Sequence, residues 1–248
     1  MRISLVVGLG LPLCIGASAL AAPVTVTLSA SKDNTLYEDP NGTLSDGIGP
    51  HLFAGRTAQG SDSIRRGLVA FNLSSIPAEA TITSVTLKLN MSKTSAASAI
   101  VALHKVTRDW GEGASNAGEP GGGGTTARTN DATWKHTFFN TQTWTNLGGD
   151  FVGSASATTT ISQLGSATWS GAGMLADVQA WRVNPGTNFG WELVGDETRS
   201  ATSFRFDSRE NPNASVRPVL SVTYNIVPEP AVLGLVALAP LLARRRRA

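Results

Sequence analysis

The sequence predicts an all-β fold: an antiparallel β-sandwich with one short helix. Three observations predict it. Apolar residues alternate with polar ones at a period of two along most of the chain. Thr, Ser, Gly and Val are plentiful while Lys and Glu are scarce, a composition for strands and turns. Turn-forming clusters such as Asp39-Pro40-Asn41-Gly42 and Ser75-Ile76-Pro77 separate the alternating runs.

Taken in order, the first strand is marked by Val24, Val26 and Leu28, which alternate with threonines and a serine. The clearest run follows at Val85, Leu87, Leu89 and Met91, interleaved with Thr86, Lys88 and Asn90. From Gly111 to Asn130 the chain is rich in Gly, Ser, Thr and Ala, with glycines at 121 to 124, and reads as a long loop with little to bury. Met174, Leu175, Val178 and Trp181 fall at helical spacing, and Asn184-Pro185-Gly186 stops that helix. Phe189, Trp191 and Leu193 alternate again, as do Phe204 with Phe206 and Leu220 with Val222 and Tyr224. Each run is a half-buried strand with one face on a core. No internal repeat is visible.

Both ends of the chain lie outside this pattern. Arg2 precedes an apolar stretch from Leu5 to Gly16 and then Ala19-Leu20-Ala21. That is a charged n-region, an h-region and a small-x-small site, so residues 1–21 read as a secretory signal peptide cleaved after Ala21. Cys14 sits inside the h-region, behind Leu13, where a lipoprotein cysteine would need a small residue. The exported chain then has no cysteine, which excludes disulfides, thiolate chemistry and Cys-ligated metal. At the other end, residues 227–248 carry Val227-Pro228-Glu229-Pro230, an apolar run from Ala231 to Ala243, and Arg244, Arg245, Arg246 and Arg247. The prolines stop any helix from running back into the domain. The arginines resist crossing a bilayer. Motif, apolar run, Arg cluster and terminal position together resemble the PEP-CTERM sorting tail of Gram-negative bacteria. That resemblance implies recognition by an exosortase, which cleaves at or near Pro-Glu-Pro, and residence in the inner membrane before processing. The run is short for the family: thirteen residues rise about 20 Å as a helix, against roughly 30 Å of hydrocarbon.

Charge changes sign with export. The whole chain is formally +2, but without Arg2 and the four terminal arginines 15 basic residues face 18 acidic ones. A nucleic-acid partner loses its electrostatic basis.

Between the two tails, residues 22–226 carry a series of motifs. Arg65-Arg66-Gly67-Leu68-Val69-Ala70-Phe71-Asn72-Leu73 leads into Ile76-Pro77 and Ala80-Thr81-Ile82. Trp110-x-Glu112 and Ala132-Thr133-Trp134 follow, then Asp177-Val178-Gln179-x-Trp181 and Asn188-Phe189-Gly190-Trp191. Phe206-x-Ser208-Arg209-Glu210 and Arg217-Pro218-x-Leu220-x-Val222-x-Tyr224 close the series. In order and spacing these resemble the DNRLRE domain, a disaggregatase-related family of carbohydrate-binding-module-like sandwiches. The resemblance implies a jelly-roll, non-catalytic module of extracellular and surface proteins, some of them attached to polysaccharide lyases. It covers roughly Val24 to Asn225, and the Gly-rich stretch is longer than the family pattern needs.

The residues themselves weigh against catalysis. His51, His104 and His136 show no zinc-binding spacing, and no G-x-S-x-G elbow occurs. The Gly121 to Gly124 run lacks the Lys-Ser/Thr of a phosphate loop. The carboxylate pairs Asp109/Glu112, Asp196/Glu197 and Asp207/Glu210 have a glycosidase reading and a plainer one as turn and strand-end residues, with Glu210 paired to an arginine. Sugar binding has better candidates. Trp181 and Trp191 read as core, whereas Trp110, Trp134, Trp144 and Trp169 lie in or beside polar loops and are candidate stacking platforms. For Trp110 and Trp134, within family motifs, packing is the alternative. Arg65, Arg66 and Arg205 are candidates for uronic-acid carboxylates. Asp33, Asn34 and Glu38 are candidate ligands of a structural calcium, the one cofactor the sequence suggests.

The expected protein is therefore exported and exosortase-sorted, bound to or part of extracellular polysaccharide at the cell surface. An enzyme, lyase or hydrolase, is one rival reading. A purely structural matrix protein without a sugar site is the other.

Overall fold

The computed structural model describes residues 22–226. The cleavage site after Ala21 and the tail from Val227 to Ala248 lie outside the described residues. Among the described residues there are fourteen strands and one α-helix: β1 (Val24–Tyr37), β2 (Leu44–Ser45), β3 (His51–Arg56), β4 (Ile64–Phe71), β5 (Thr81–Thr94), β6 (Ala99–Lys105), β7 (Thr125–Thr126), β8 (His136–Phe138), β9 (Gln142–Thr143), β10 (Ala157–Ile161), β11 (Gly165–Ser170), α1 (Ala172–Val183), β12 (Trp191–Val194), β13 (Phe204–Asp207) and β14 (Val219–Asn225).

All pairings are antiparallel and build a two-layered, barrel-like sandwich. In one layer β5 is central, flanked by β11 on one side and by β14 and β13 on the other. The second layer runs β4, β12, β6, β10. Two strands belong to both. β1 pairs β14 from Val24 to Ser29, shifts register between Ala30 and Lys32, and then pairs β4 up to Tyr37. A bulge bends a strand in this way. β3 pairs β13 and then turns onto β4 at Gly55 and Arg56. Gly55 has φ of +104°, and a Cβ there would lie 2.5 Å from the Thr202 carbonyl, so the corner requires glycine. Through these two strands the pairing closes into a ring: β1, β14, β5, β13, β3, β4 and back to β1.

The inter-sheet core follows the alternation of the sequence. Val85, Leu87, Leu89 and Met91 are buried, and so are Phe204, Phe206, Leu220, Val222 and Tyr224. Helix α1 closes one end, with Met174, Val178 and Trp181 turned inward and the Trp181 ring edge-on to Trp191 at 4.7 Å.

The outer face of the second layer is covered as well. Between Val106 and Phe151 the chain folds over β4, β12 and β1, pinning short pairs β2–β7 and β8–β9. Leu36, Leu68, Ala70 and Val106 meet Trp110, Ala132, Trp134 and Trp144 in a second, smaller core. The Gly-rich stretch from Gly111 to Asn130 adds no side chain to this core; the residues flanking it do. Backbone groups hold it down: Tyr37 donates to the Gly121 carbonyl at 2.7 Å, Arg65 to the Gly122 carbonyl at 3.1 Å, and Ala117 N–H to Asp46 at 2.7 Å.

Candidate functional site

Register alone places three side chains in a row on the outer face of the β5 layer. Arg205 of β13 stands opposite Phe53 of β3 on one side and Lys93 of β5 on the other. Because alternate residues share a face, these point away from the core that Phe204 and Phe206 fill. The Gly-rich loop comes down beside them. Together Phe53, Lys93, Thr94, Ser95, Pro120, Gly122, Ser203 and Arg205 line an open groove of about 220 Å³. It offers one aromatic edge, two cations and several hydroxyls.

The arginine in this groove already holds a carboxylate. Arg205 Nη1 lies 3.0 Å from Glu119 Oε2, and its Nε donates to Ser92 at 3.1 Å. Glu119 is 65% exposed, so its hold on Arg205 is open to solvent and exchangeable. Its other oxygen lies 2.6 Å from His51 Nε2, and this hydrogen bond is the first reason its pKa is lowered. Behind, His51 Nδ1 is 3.1 Å from Asp207, which in turn accepts from Asn90 and Asn211.

A second charged group sits where three distant segments converge. Asp33, Glu112 and Glu210 bring carboxylate oxygens within 4.8 Å of one another. Arg209 Nη1 lies 2.7 Å from both Glu112 Oε2 and Glu210 Oε1, and the Arg209 N–H donates to Asp33. Burial, then Glu210, raises the Asp33 pKa well above its usual range, and burial raises Glu210 to about 7. Of the sequence candidates for calcium only Asp33 belongs here. Asn34 is spent on Thr35, Ser45, Asp46 and the Glu112 carbonyl, and Glu38 on the N–H groups of Ser63 and Ile64. Calcium takes six to eight oxygens. Both oxygens of Glu112 and one of Glu210 are already committed, so the donor set does not fit that ion, and Arg209 supplies the positive charge.

A third group lies beneath the loop. Arg66 makes two short bonds to Glu197, 2.6 and 2.9 Å, and donates to the Gly148 carbonyl at 2.8 Å. Its guanidinium faces the Trp134 ring at 5.0 Å and Phe151 at 5.4 Å. Glu192, wholly buried, is 3.5 Å from Arg66, and neither of its oxygens has a hydrogen-bond partner. Burial raises its pKa to about 8 against the pull of Arg66.

The tryptophan platforms are corrected by these packing arrangements. Trp169 is fully buried in the inter-sheet core, with Phe206 edge-on at 6.0 Å and its indole N–H on the Val101 carbonyl. Trp110, Trp134 and Trp144 form the second core, the first and last donating to the Phe189 and Thr133 carbonyls. With their faces packed, no indole of the four is free to stack on a sugar. The reason lies in the loop: its indoles turn inward because the outer face of β4 and β1 is apolar and needs cover. Arg65 is corrected too. It is 3% exposed, held by three backbone carbonyls and set over the Tyr37 ring at 4.9 Å. Arg66 is committed to Glu197. Of the three arginine candidates, Arg205 alone lines an open groove. Phe53 and Lys93, which sequence reasoning missed, carry no motif and join Arg205 only through strand register. Glu210 does pair with an arginine, and the other carboxylates of these pairs also have basic partners, Asp109 with Lys32, Glu197 with Arg66 and Asp196 with Arg199.

Among the described residues no helix is long and apolar enough to cross a membrane. Compared with known proteins, the chain matches no family model, and no curated protein matches it.

Proposed function

We propose that this is an exported bacterial surface or extracellular-matrix protein whose sandwich binds acidic polysaccharide without cleaving it. The two tails support the export and sorting half of the reading: a signal peptide ending at Ala21, and a tail that an exosortase removes after transit through the inner membrane. The binding half rests on one observation. Arg205, beside Lys93 and Phe53, holds the exposed carboxylate of Glu119 in an open groove. A uronic-acid carboxylate takes the place of Glu119 there, with the ring against Phe53 and ring hydroxyls on Thr94, Ser95 and Ser203.

Titration of the protein with polygalacturonate and with alginate at low and physiological salt tests this. Binding should weaken as salt rises. Arg205→Gln should cost roughly tenfold in affinity, equivalent to about 1.4 kcal/mol, and Glu119→Gln should tighten binding by removing the internal competitor. Release of unsaturated or reducing ends replaces this reading with a lyase or hydrolase. Absence of binding to any glycan at millimolar concentration replaces it with a structural matrix protein.

A further inference from the structure

A groove larger than the one at Arg205 lies at the other end of β5. Phe71, Leu73, Ile76, Pro77, Ala78 and Pro185 give it apolar walls over about 610 Å³, with Trp181, Arg182 and Asn188 along one side. Three of its polar atoms lack partners. Trp181 Nε1, Arg182 Nε and Asn188 Oδ1 are buried without a hydrogen bond. Among the described residues Arg182 forms no ion pair, whereas half of the other lysines and arginines there do. A guanidinium beside an apolar wall suits an extended apolar segment that carries one carboxylate.

The chain itself supplies such a segment at this place. β14 ends with Tyr224 opposite Ile82 and Asn225 opposite Thr81. Ile226, the last described residue, therefore stands level with Ala80, close in sequence to the groove walls Ala78 and Pro77. Helix α1 meets the same spot, because Gln179 accepts from the Ile82 N–H at 2.9 Å. Arg182 is one turn further along, about 5–6 Å from Gln179 on the same face. Residues 227 to 230 are Val-Pro-Glu-Pro, three apolar side chains and one carboxylate. Extended, four residues reach about 13 Å, enough to cross the turn at 77–80 and enter the groove. Only Val227 and Glu229 carry N–H groups, so the segment loses few donors when it leaves water.

We propose that the groove between the 71–78 connection and the end of α1 is the docking site of this chain's own Val227–Pro230 segment, with the Glu229 carboxylate on the Arg182 guanidinium. Docking holds the Pro-Glu-Pro on the folded domain, so that a processing enzyme meets it at a fixed distance from the sandwich. The inference concerns a contact within the chain and does not depend on the sugar-binding reading.

Zero-length carbodiimide coupling of the full chain in detergent micelles tests it. Arg182→Lys places a reactive amine in the groove, and mass spectrometry should find an isopeptide link from position 182 to Glu229. Coupling of Lys32 to Asp109, 2.8 Å apart, reports in the same sample that the domain is folded. A Lys32–Asp109 link without a 182–229 link overturns the proposal. So does coupling of position 182 to Glu79, or to Glu229 of a second molecule. Hydrogen exchange on the otherwise unaltered chain gives an independent readout. Glu229→Gln should speed exchange of the 76–80 and 181–188 amides roughly threefold, as loss of a part-exposed ion pair implies. Unchanged rates overturn the proposal.

Discussion

The two cores of this molecule are built on different principles. Between the sheets, apolar side chains from regular strands meet apolar side chains, and the only polar partners needed are for indoles such as Trp169. On the outer face of the second sheet, an irregular loop covers β4 and β1 with three tryptophans, and buried and half-buried ionisable groups lie among and beside them: Arg66 with Glu192 and Glu197, and Arg209 with Asp33, Glu112 and Glu210. The inner core needs only shape and burial. The outer one needs particular hydrogen bonds, because loop backbone and ionic groups lose water when they are covered. It follows that the inner core should be sensitive to lost volume and the outer layer to pH and charge.

The largest effects should come from the inner core. Trp169→Ala should destabilise by about 3–5 kcal/mol and Leu87→Ala by about 2–5 kcal/mol in denaturant unfolding. A loss under about 0.5 kcal/mol at Leu87 would mean that the β5 face is not packed as described.

Next comes the ionic side of the outer layer. Arg66→Met should cost about 2 kcal/mol, less than the ~3–5 kcal/mol usual for a broken buried pair, because Glu192 then stays protonated. Equal losses for Arg66→Met and Trp169→Ala would erase the contrast between the layers.

The pH dependence separates them more finely. Glu192 titrates near 8, and Glu210 and Asp46 near 7, all raised by burial. The folded protein keeps these protons at pH values where the unfolded chain, with ordinary carboxyls near 4.3, has lost them. Stability should therefore fall as pH rises from about 5 to 8. Glu192→Gln should flatten that slope in melting curves, whereas Leu87→Ala should shift the whole curve and leave its slope intact.

The smallest effect concerns calcium. With Arg209 inside the carboxylate cluster, excess Ca²⁺ or chelator should shift melting by about 1 °C or less, equivalent to roughly 0.3 kcal/mol for a domain of this size. Arg209→Gln should make the protein responsive to Ca²⁺.

The same contrast explains what was legible in the sequence. Period-two runs such as Val85 to Met91 announce the inner core, since a strand buried on one face must alternate. The helix is legible through Met174, Val178 and Trp181 for the same reason. The loop that builds the outer layer has no period, so its tryptophans look like surface residues in a polar stretch. The carboxylate cluster was half visible: Glu112 and Arg209-Glu210 stand out within motifs, but their meeting with Asp33 depends on chain paths that local spacing does not encode. The groove at Arg205 was legible by one residue in three, because Phe53 and Lys93 are brought to it by pairing across strands far apart in sequence.

The placement of β1 beside β14 has a mechanical meaning. Val24 stands opposite Tyr224, so the chain enters and leaves the domain side by side. Pulled apart by those two ends, an antiparallel pair of this kind carries the load on one rung at a time, because its hydrogen bonds lie across the strands and along the direction of opening. The domain is thus a zipper under tension and not a shear clasp. Stretched between two anchors, it would lengthen from this corner at low force, with β1 peeling away first while β5, which lies on the far side of β14, is still held.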